Sequence, residues 1–341
     1  MSNADLANLS DKLMLTTVVM YIIALVAYAA DMGFGRRGAA TAAEAKASEA
    51  KAAVSEKAAA KVLVGAGGAA DVDDDAPAKA AAATDDDVDE ERPQVDWPRL
   101  AILLNVLGVG AHLGVLVTRG LSANRWPWGN MYEFLTAISF AAVAAFIVVM
   151  FRYKARFLGA PVMFAAVIAL GVANIWLYDS VGPVTPALNS YWIAIHVSAA
   201  ITATGAFTVA GAATILYFLK LRVEARGPKT DDHGFLARVP STESLDRLAM
   251  RVTMFAFPIW TAAIIMGAIW ADQAWGRYWG WDPKEIWSFV TWIIYAAYLH
   301  ARSTAGWKGR KAAFLSLLAF AALLFNFFGV NYMFSGLHSY A

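Results

Sequence analysis

Apolar residues fall into eight long runs, near residues 13–30, 99–118, 131–151, 157–177, 191–219, 247–270, 284–302 and 311–332. Most reach the roughly 20 residues that a helix needs to cross a bilayer. The pattern predicts an all-α polytopic integral membrane bundle of eight transmembrane helices. The first run has Asp5 and Asp11 ahead of it and Arg36-Arg37 behind. A cleaved leader carries its positive charge first, so this run reads as a retained helix. Residues 38–95 break the pattern. They are Ala-rich with scattered Lys and Glu, then acidic, with ten Asp or Glu against one Lys between 71 and 91. No face there is apolar enough to pack, and the composition predicts a disordered tether or an acidic partner-facing segment. Three regions follow: residues 1–37 with the first helix, a cytoplasmic low-complexity linker over 38–98, and a seven-helix membrane domain over 99–341.

The loops predict orientation. Basic clusters occur at Arg36-Arg37, at RYKAR (152–156), at KLRVEARGPK (220–229) and at HARSTAGWKGRK (300–311). They lie on alternate connections, which the positive-inside rule assigns to the cytoplasm of a plasma-membrane protein. Both termini and the segments 119–130, 178–190 and 271–283 are then extracytoplasmic.

Composition narrows the chemistry. Of 341 residues 59% are hydrophobic, well above a soluble chain, and mean hydropathy is +0.49. A net charge of +1 argues against a nucleic-acid partner, and the bilayer is the evident one. There is no cysteine, so thiol relay, iron–sulfur clusters and a C-x-x-C-H haem attachment within this chain are excluded. Metal chemistry is left to five histidines: His112, His196, His233, His300 and His338.

The densest chemistry lies in WADQAWGRYWGWDPKEIW at 270–287, where Trp270, Trp275, Trp279, Trp281 and Trp287 alternate with Gly276, Gly280, Arg277 and Asp282. Trp and Gly at this density predict a loop at a membrane–water boundary rather than a helix. An interfacial aromatic belt explains two or three of these rings, not all five with their glycines. Asp282-Pro283-x-Glu285 reads as an acidic N-cap with Pro at the first helical position and Glu at the third, opening the helix 284–302.

The run Trp275-Gly276-Arg277-Tyr278-Trp279-Gly280-Trp281-Asp282 resembles the "WWD" signature of haem-handling membrane proteins of cytochrome c maturation, most closely the CcsA/ResC (also CcsB) family. Pro127, Asn130, Tyr132 and Glu133 resemble that family's P-x-x-N-x-Y-E pattern, and the likeness extends over most of 99–341. Imidazole is a common axial ligand of haem iron, and the topology brings His196 and His338 to the face of the Trp-rich loop. By the resemblance they are the family's two external haem ligands. Read alone, each is equally an interfacial polar anchor. His300, near the cytoplasmic end of 284–302, reads as an intramembrane haem ligand by the resemblance, or as a snorkelling neighbour of Arg302. His112, near mid-membrane, needs a partner, either His300 or a backbone carbonyl. His233, beside Asp231 and Asp232, reads as a solvated loop residue.

Within the signature, Trp275, Trp279 and Trp281 are expected against the haem, with Asp282 fixing their position. Arg277, and more weakly Arg125, are expected at the haem propionates. The implied function is system II cytochrome c maturation. Haem b, held non-covalently as a substrate in transit, is presented outside and attached to apocytochrome C-x-x-C-H thiols by a cytochrome c synthase active with a ResB-like membrane partner. No residue is an evident general base, so positioning carries the catalysis. Two rivals are a haem exporter or chaperone without lyase activity and a haem-free transporter. The latter predicts a line of intramembrane acids, whereas Asp179 and Asp272 both fall at boundaries.

Overall fold

The computed structural model describes residues 1–64, 95–182, 188, 190–226, 235–304 and 306–338. Its helices are α1 (Asn3–Val64), α2 (Trp97–Ala123), α3 (Met131–Tyr153), α4 (Gly159–Trp176), α5 (Tyr191–Glu224), α6 (Thr242–Trp275), α7 (Pro283–Ser303), α8 (Arg310–Leu324) and the short α9 (Val330–Met333). A π-helical turn at Phe325–Gly329 joins α8 to α9. No strand occurs among the described residues. The chain divides into one unit of Met1–Met32 with Trp97–Ala341 and a second of Gly33–Asp96. Helix α1 continues through the first part of the Ala-rich segment to Val64. The acidic stretch 71–91 and His233 lie outside the described residues.

The eight apolar runs each become a helix, and the protein is a polytopic membrane bundle. Seven spans are long and apolar enough to cross a bilayer: Asn3–Gly33, Trp97–Ala123, Met131–Tyr153, Arg156–Trp176, Tyr191–Glu224, Thr242–Trp275 and Arg310–Met333. The eighth, α7, has the length at 21 residues, but Lys284, Glu285, His300 and Arg302 dilute its apolar character. Helix ends follow the local chemistry. Asn130 caps α3, its Oδ1 accepting from the Glu133 N–H at 2.9 Å. Asp282 and Glu285 form a full capping box on α7 behind Pro283. Gly276, at φ 70°, closes α6 in the left-handed conformation.

Helix α5 is the axis of the bundle and packs on α3, α4, α6 and α8. A Cβ on Gly205 would stand 2.5 Å from the Ala141 carbonyl carbon, so only glycine lets α5 and α3 approach this closely. Phe207 of α5 stacks on Tyr295 of α7 with centroids 3.8 Å apart. At one end of this core, the loops before α3, α5 and α7 converge with the chain after α9.

Candidate functional site

Between α3, α5, α6, α7 and α8 lies an open-mouthed cavity with about 1190 Å³ of empty space, mouth included. His196 of α5 and His338, beyond α9, both line it. The two are far apart in sequence, and the indole of Trp270 touches both. It lies parallel to the His196 ring, at 6° and 6.1 Å, and meets His338 edge-on at 5.6 Å.

Each imidazole has its orientation set by a partner that only accepts. His196 Nδ1 donates to the Ala263 carbonyl at 2.8 Å. His338 Nδ1 donates to Asp282 Oδ1 at 2.9 Å. In the neutral form of each ring Nδ1 therefore carries the proton and the basic lone pair falls on Nε2. This is how metal-ligating histidines are held, with the second ring nitrogen bonded to a carbonyl or carboxylate. His196 lies flat on α6 because residue 267 is glycine. A Cβ there would stand 2.7 Å from Cε1 and 2.8 Å from Nδ1.

Asp282 ties the segment after α9 to the loop. Its Oδ1 takes the Lys284 N–H at 3.1 Å and the His338 ring, while Oδ2 takes the Leu337 N–H at 2.7 Å. Burial pushes its carboxyl up, but the bonds from His338, Leu337 and Lys284 outweigh that and leave its pKa below the usual carboxylate value.

The Trp-rich run is divided among the end of α6, a loop and the start of α7, which carries Trp287. Trp270 and Trp275 belong to α6, and only residues 276–282 form the loop, so the sequence expectation of a loop throughout is corrected. The apolar stripe of α6 extends past Trp270, and helix formation continues until Gly276. Trp279 lines the cavity. Trp275 packs edge-on against Trp270 at 4.7 Å and His338 at 4.9 Å, without lining it. Trp281 sits in the left-handed region at φ 58° and is 65% exposed, turned outward rather than against the cavity. Sequence reasoning passed over the wall residues Trp128, Trp260 and Trp270. The enrichment of the run pointed at Trp270, but nothing in the pattern singled out Trp128 or Trp260.

Two arginines are placed differently from expectation. Arg277 pairs with Glu285 at 3.1 Å and lies across Gly280, where any side chain would overlap its guanidinium. Arg125 pairs with Glu133 at 2.6 Å. Neither lines the cavity, because each guanidinium is held by a carboxylate of its own helix start. The second motif builds a clamp. Glu133, with its side chain wholly buried, takes Arg119 at 2.9 Å, Arg125, and the Gly129 N–H at 2.7 Å. The clamp fixes Trp128, Gly129, Asn130 and Met131, all of them cavity wall.

His300 and His112 stand apart. His300 is exposed near the far end of α7, about 25 Å along the helix from Pro283 at 1.5 Å per residue. His112 is fully buried, with Nδ1 on the Tyr21 hydroxyl at 3.2 Å and its ring edge-on to Phe140. Nδ1 is thus partnered by a tyrosine of α1 rather than by His300, and the Thr136 backbone interacts with the same ring, as the carbonyl alternative expected. Among the described residues no cluster of three His, Cys, Asp or Glu forms a metal site. A planar metal complex whose own macrocycle supplies the equatorial ligands needs only two axial ligands, a number that His196 and His338 could supply.

This geometry coincides with a family match. Residues 128–338 fit the model of the cytochrome C assembly protein family. The chain belongs to this family. Its boundaries run from the first wall residue, Trp128, to the second cavity histidine. Curated relatives carry the name cytochrome c biogenesis protein CcsA. The protein of Trieres chinensis is 33% identical over 253 residues, covering 66% of this chain and 81% of the relative. That of Gloeobacter violaceus is 33% identical over 297 residues, covering 70% and 87%. A solved structure, the cytochrome c haem lyase CcmF, shares the fold at TM-score 0.57 and 16% identity, over 96% of this chain. This chain spans 47% of that longer protein.

Proposed function

We propose that this protein holds haem b in the cavity between His196 and His338 and presents it for attachment to apocytochrome c. One observation carries the reading. Two remote histidines converge on one aromatic-walled cavity, each with Nδ1 bonded to an acceptor and its lone pair on Nε2. Membership of the cytochrome C assembly family supports the same chemistry, as does the curated relatives' name, cytochrome c biogenesis protein. The indoles of Trp270, Trp279 and Trp128 supply flat apolar walls for a porphyrin.

In this reading each cysteine thiol of a C-x-x-C-H segment adds across a haem vinyl group. The sulfur bonds to the carbon next to the ring, and the proton ends on the terminal carbon. No electron is transferred in the addition. His196 and His338 keep the iron ligated until the substrate's own histidine replaces one of them. Holding haem and thiols in register supplies the rate. The alternating basic loops support a cavity mouth outside the plasma membrane. A ResB-like subunit completes the synthase, and His300 serves haem arriving from the cytoplasmic side.

The test is co-expression with a ResB-like partner and a reporter apocytochrome, reading covalent haem on the reporter. Wild type yields holocytochrome. His196→Ala and His338→Ala lose it and regain it with added imidazole. Wild-type attachment in both alanine variants without imidazole contradicts the reading.

A further inference from the structure

The cavity contains a basic side chain that the two histidines do not account for. Lys284, second residue of α7, lines the wall, with Asp282 near enough to act on its charge but not in an ion pair with it. Nζ donates at 2.8 Å to the Asn326 carbonyl and at 2.8 Å to Asn331 Oδ1, and lies 5.7 Å from the Phe327 ring centre. Among the described residues no carboxylate forms an ion pair with it, although every other basic side chain lining the loops of this end, Arg119, Arg125 and Arg277, is matched to a glutamate.

A π-helical turn supplies one of the acceptors for this lysine. In the π-helical turn the Val330 N–H reaches back to the Phe325 carbonyl, five residues earlier. The Asn326 carbonyl beside it accepts the ammonium instead. Such turns recur at functional sites because they redirect backbone groups. The Asn326 side chain is 4% exposed and also lines the cavity, yet its Oδ1 has no hydrogen-bond partner. An ammonium has three protons, and two are placed on Asn326 and Asn331. With the Asn326 amide turned to present its NH2, the third ammonium proton and that amide form a donor site for an anion on one wall of a mostly apolar cavity.

We propose that Lys284 and Asn326 form the subsite for a carboxylate of the cavity's ligand. For the haem reading, on which this rests, the group is a propionate. One carboxylate oxygen takes the third ammonium proton, and the Asn326 amide, turned to present its NH2, donates to the other. The sequence expectation placed this role on Arg277, whose charge is already matched by Glu285. Lys284 thereby sets the rotation of the macrocycle about the axis between the histidines, and so which edge faces the mouth.

The test uses full-length protein in detergent and a ligand without iron, so that axial ligation plays no part. Metal-free protoporphyrin IX and its dimethyl ester are titrated by quenching of tryptophan fluorescence. A charge-assisted hydrogen bond in a partly buried site predicts that wild type prefers the diacid by about tenfold or more. Lys284→Met binds both at the level of the wild-type ester, and Lys284→Arg keeps most of the preference. A wild type without preference for the diacid overturns the proposal and needs no variant to do so. An unchanged preference in Lys284→Met overturns it equally. Should haem show no histidine-ligated spectrum while the porphyrin preference holds, the carboxylate subsite stands and the haem reading falls.

Discussion

Gly267→Ala changes one hydrogen to a methyl group on a helix that glycine weakens, and on propensity alone it should stabilise α6 by about 1 kcal/mol. The structure predicts the opposite for the site. The new Cβ would meet the His196 ring at 2.7–2.8 Å, where ordinary contact begins at 3.4 Å. The imidazole must retreat by about 0.7 Å, against the roughly 0.5 Å within which ligating groups must be held. It has little room, because Trp270 lies parallel to it and the Ala263 carbonyl holds Nδ1 at 2.8 Å. The ring then loses that bond or turns Nε2 away from the cavity. Loss of such an orienting partner costs about 10–100-fold in metal-complex affinity. Overpacking adds about 1–3 kcal/mol of destabilisation. Haem titration of the purified variant by its Soret band measures the first effect, and the circular-dichroism melting curve the second. Added imidazole should restore the low-spin band by replacing the displaced ligand. Haem affinity and spectrum equal to wild type would refute the claim that His196 is held against α6 to face the cavity.

Asp282→Asn is expected to weaken haem binding by about 10–100-fold, since an amide holds the His338 tautomer less firmly than a carboxylate; unchanged titrations would remove Asp282 from the orienting role. Glu133→Gln leaves Arg119 and Arg125 without their buried counter-charge, at a cost of about 3–5 kcal/mol that a lowered thermal midpoint would register. An unchanged midpoint would mean that the clamp does not support the fold. The pH dependence follows from the lowered Asp282 pKa. A carboxylate held below its unfolded value of about 3.9 contributes its full stabilisation above that pH and loses it as pH falls through the lower folded value. Protection of the Leu337 amide from hydrogen exchange, corrected for intrinsic rate, should thus be flat from neutrality to about pH 4 and fall below it. A fall beginning near pH 6 would assign the hold to another group.

Much of the architecture is written in the chain because the bilayer imposes it. Length and apolarity locate every spanning helix, and Asn130, Asp282, Pro283 and Glu285 mark their starts with side chains that serve orphan N–H groups. His196 and His338 were legible as a pair through loop alternation, which brings both to one side. Facing was not legible. The apolar face of α6 carries both indoles, and nothing in its period told Trp270, in the wall, from Trp275, behind it. Arg277 read as a partner for propionates from its planar donors and its place in the loop; its own partner, Glu285, read only as a helix cap, and the structure has Glu285 do both. Lys284 was hidden by the same cap, and the place of Gly267 depends on a helix crossing that spacing does not reveal. Asn326 and Asn331 were the signal left unused, two amides within an apolar run.

The central claim is that one haem is bound between His196 and His338. The most direct measurement is the reduced absorption spectrum of purified protein supplied with haem, for wild type, His196→Ala, His338→Ala and the double variant. The account predicts sharp low-spin α and β bands in wild type. They should be weakened in each single variant and restored there by imidazole, and absent from the double variant until imidazole is added. Wild-type bands persisting in the double variant would place the haem elsewhere and contradict the account.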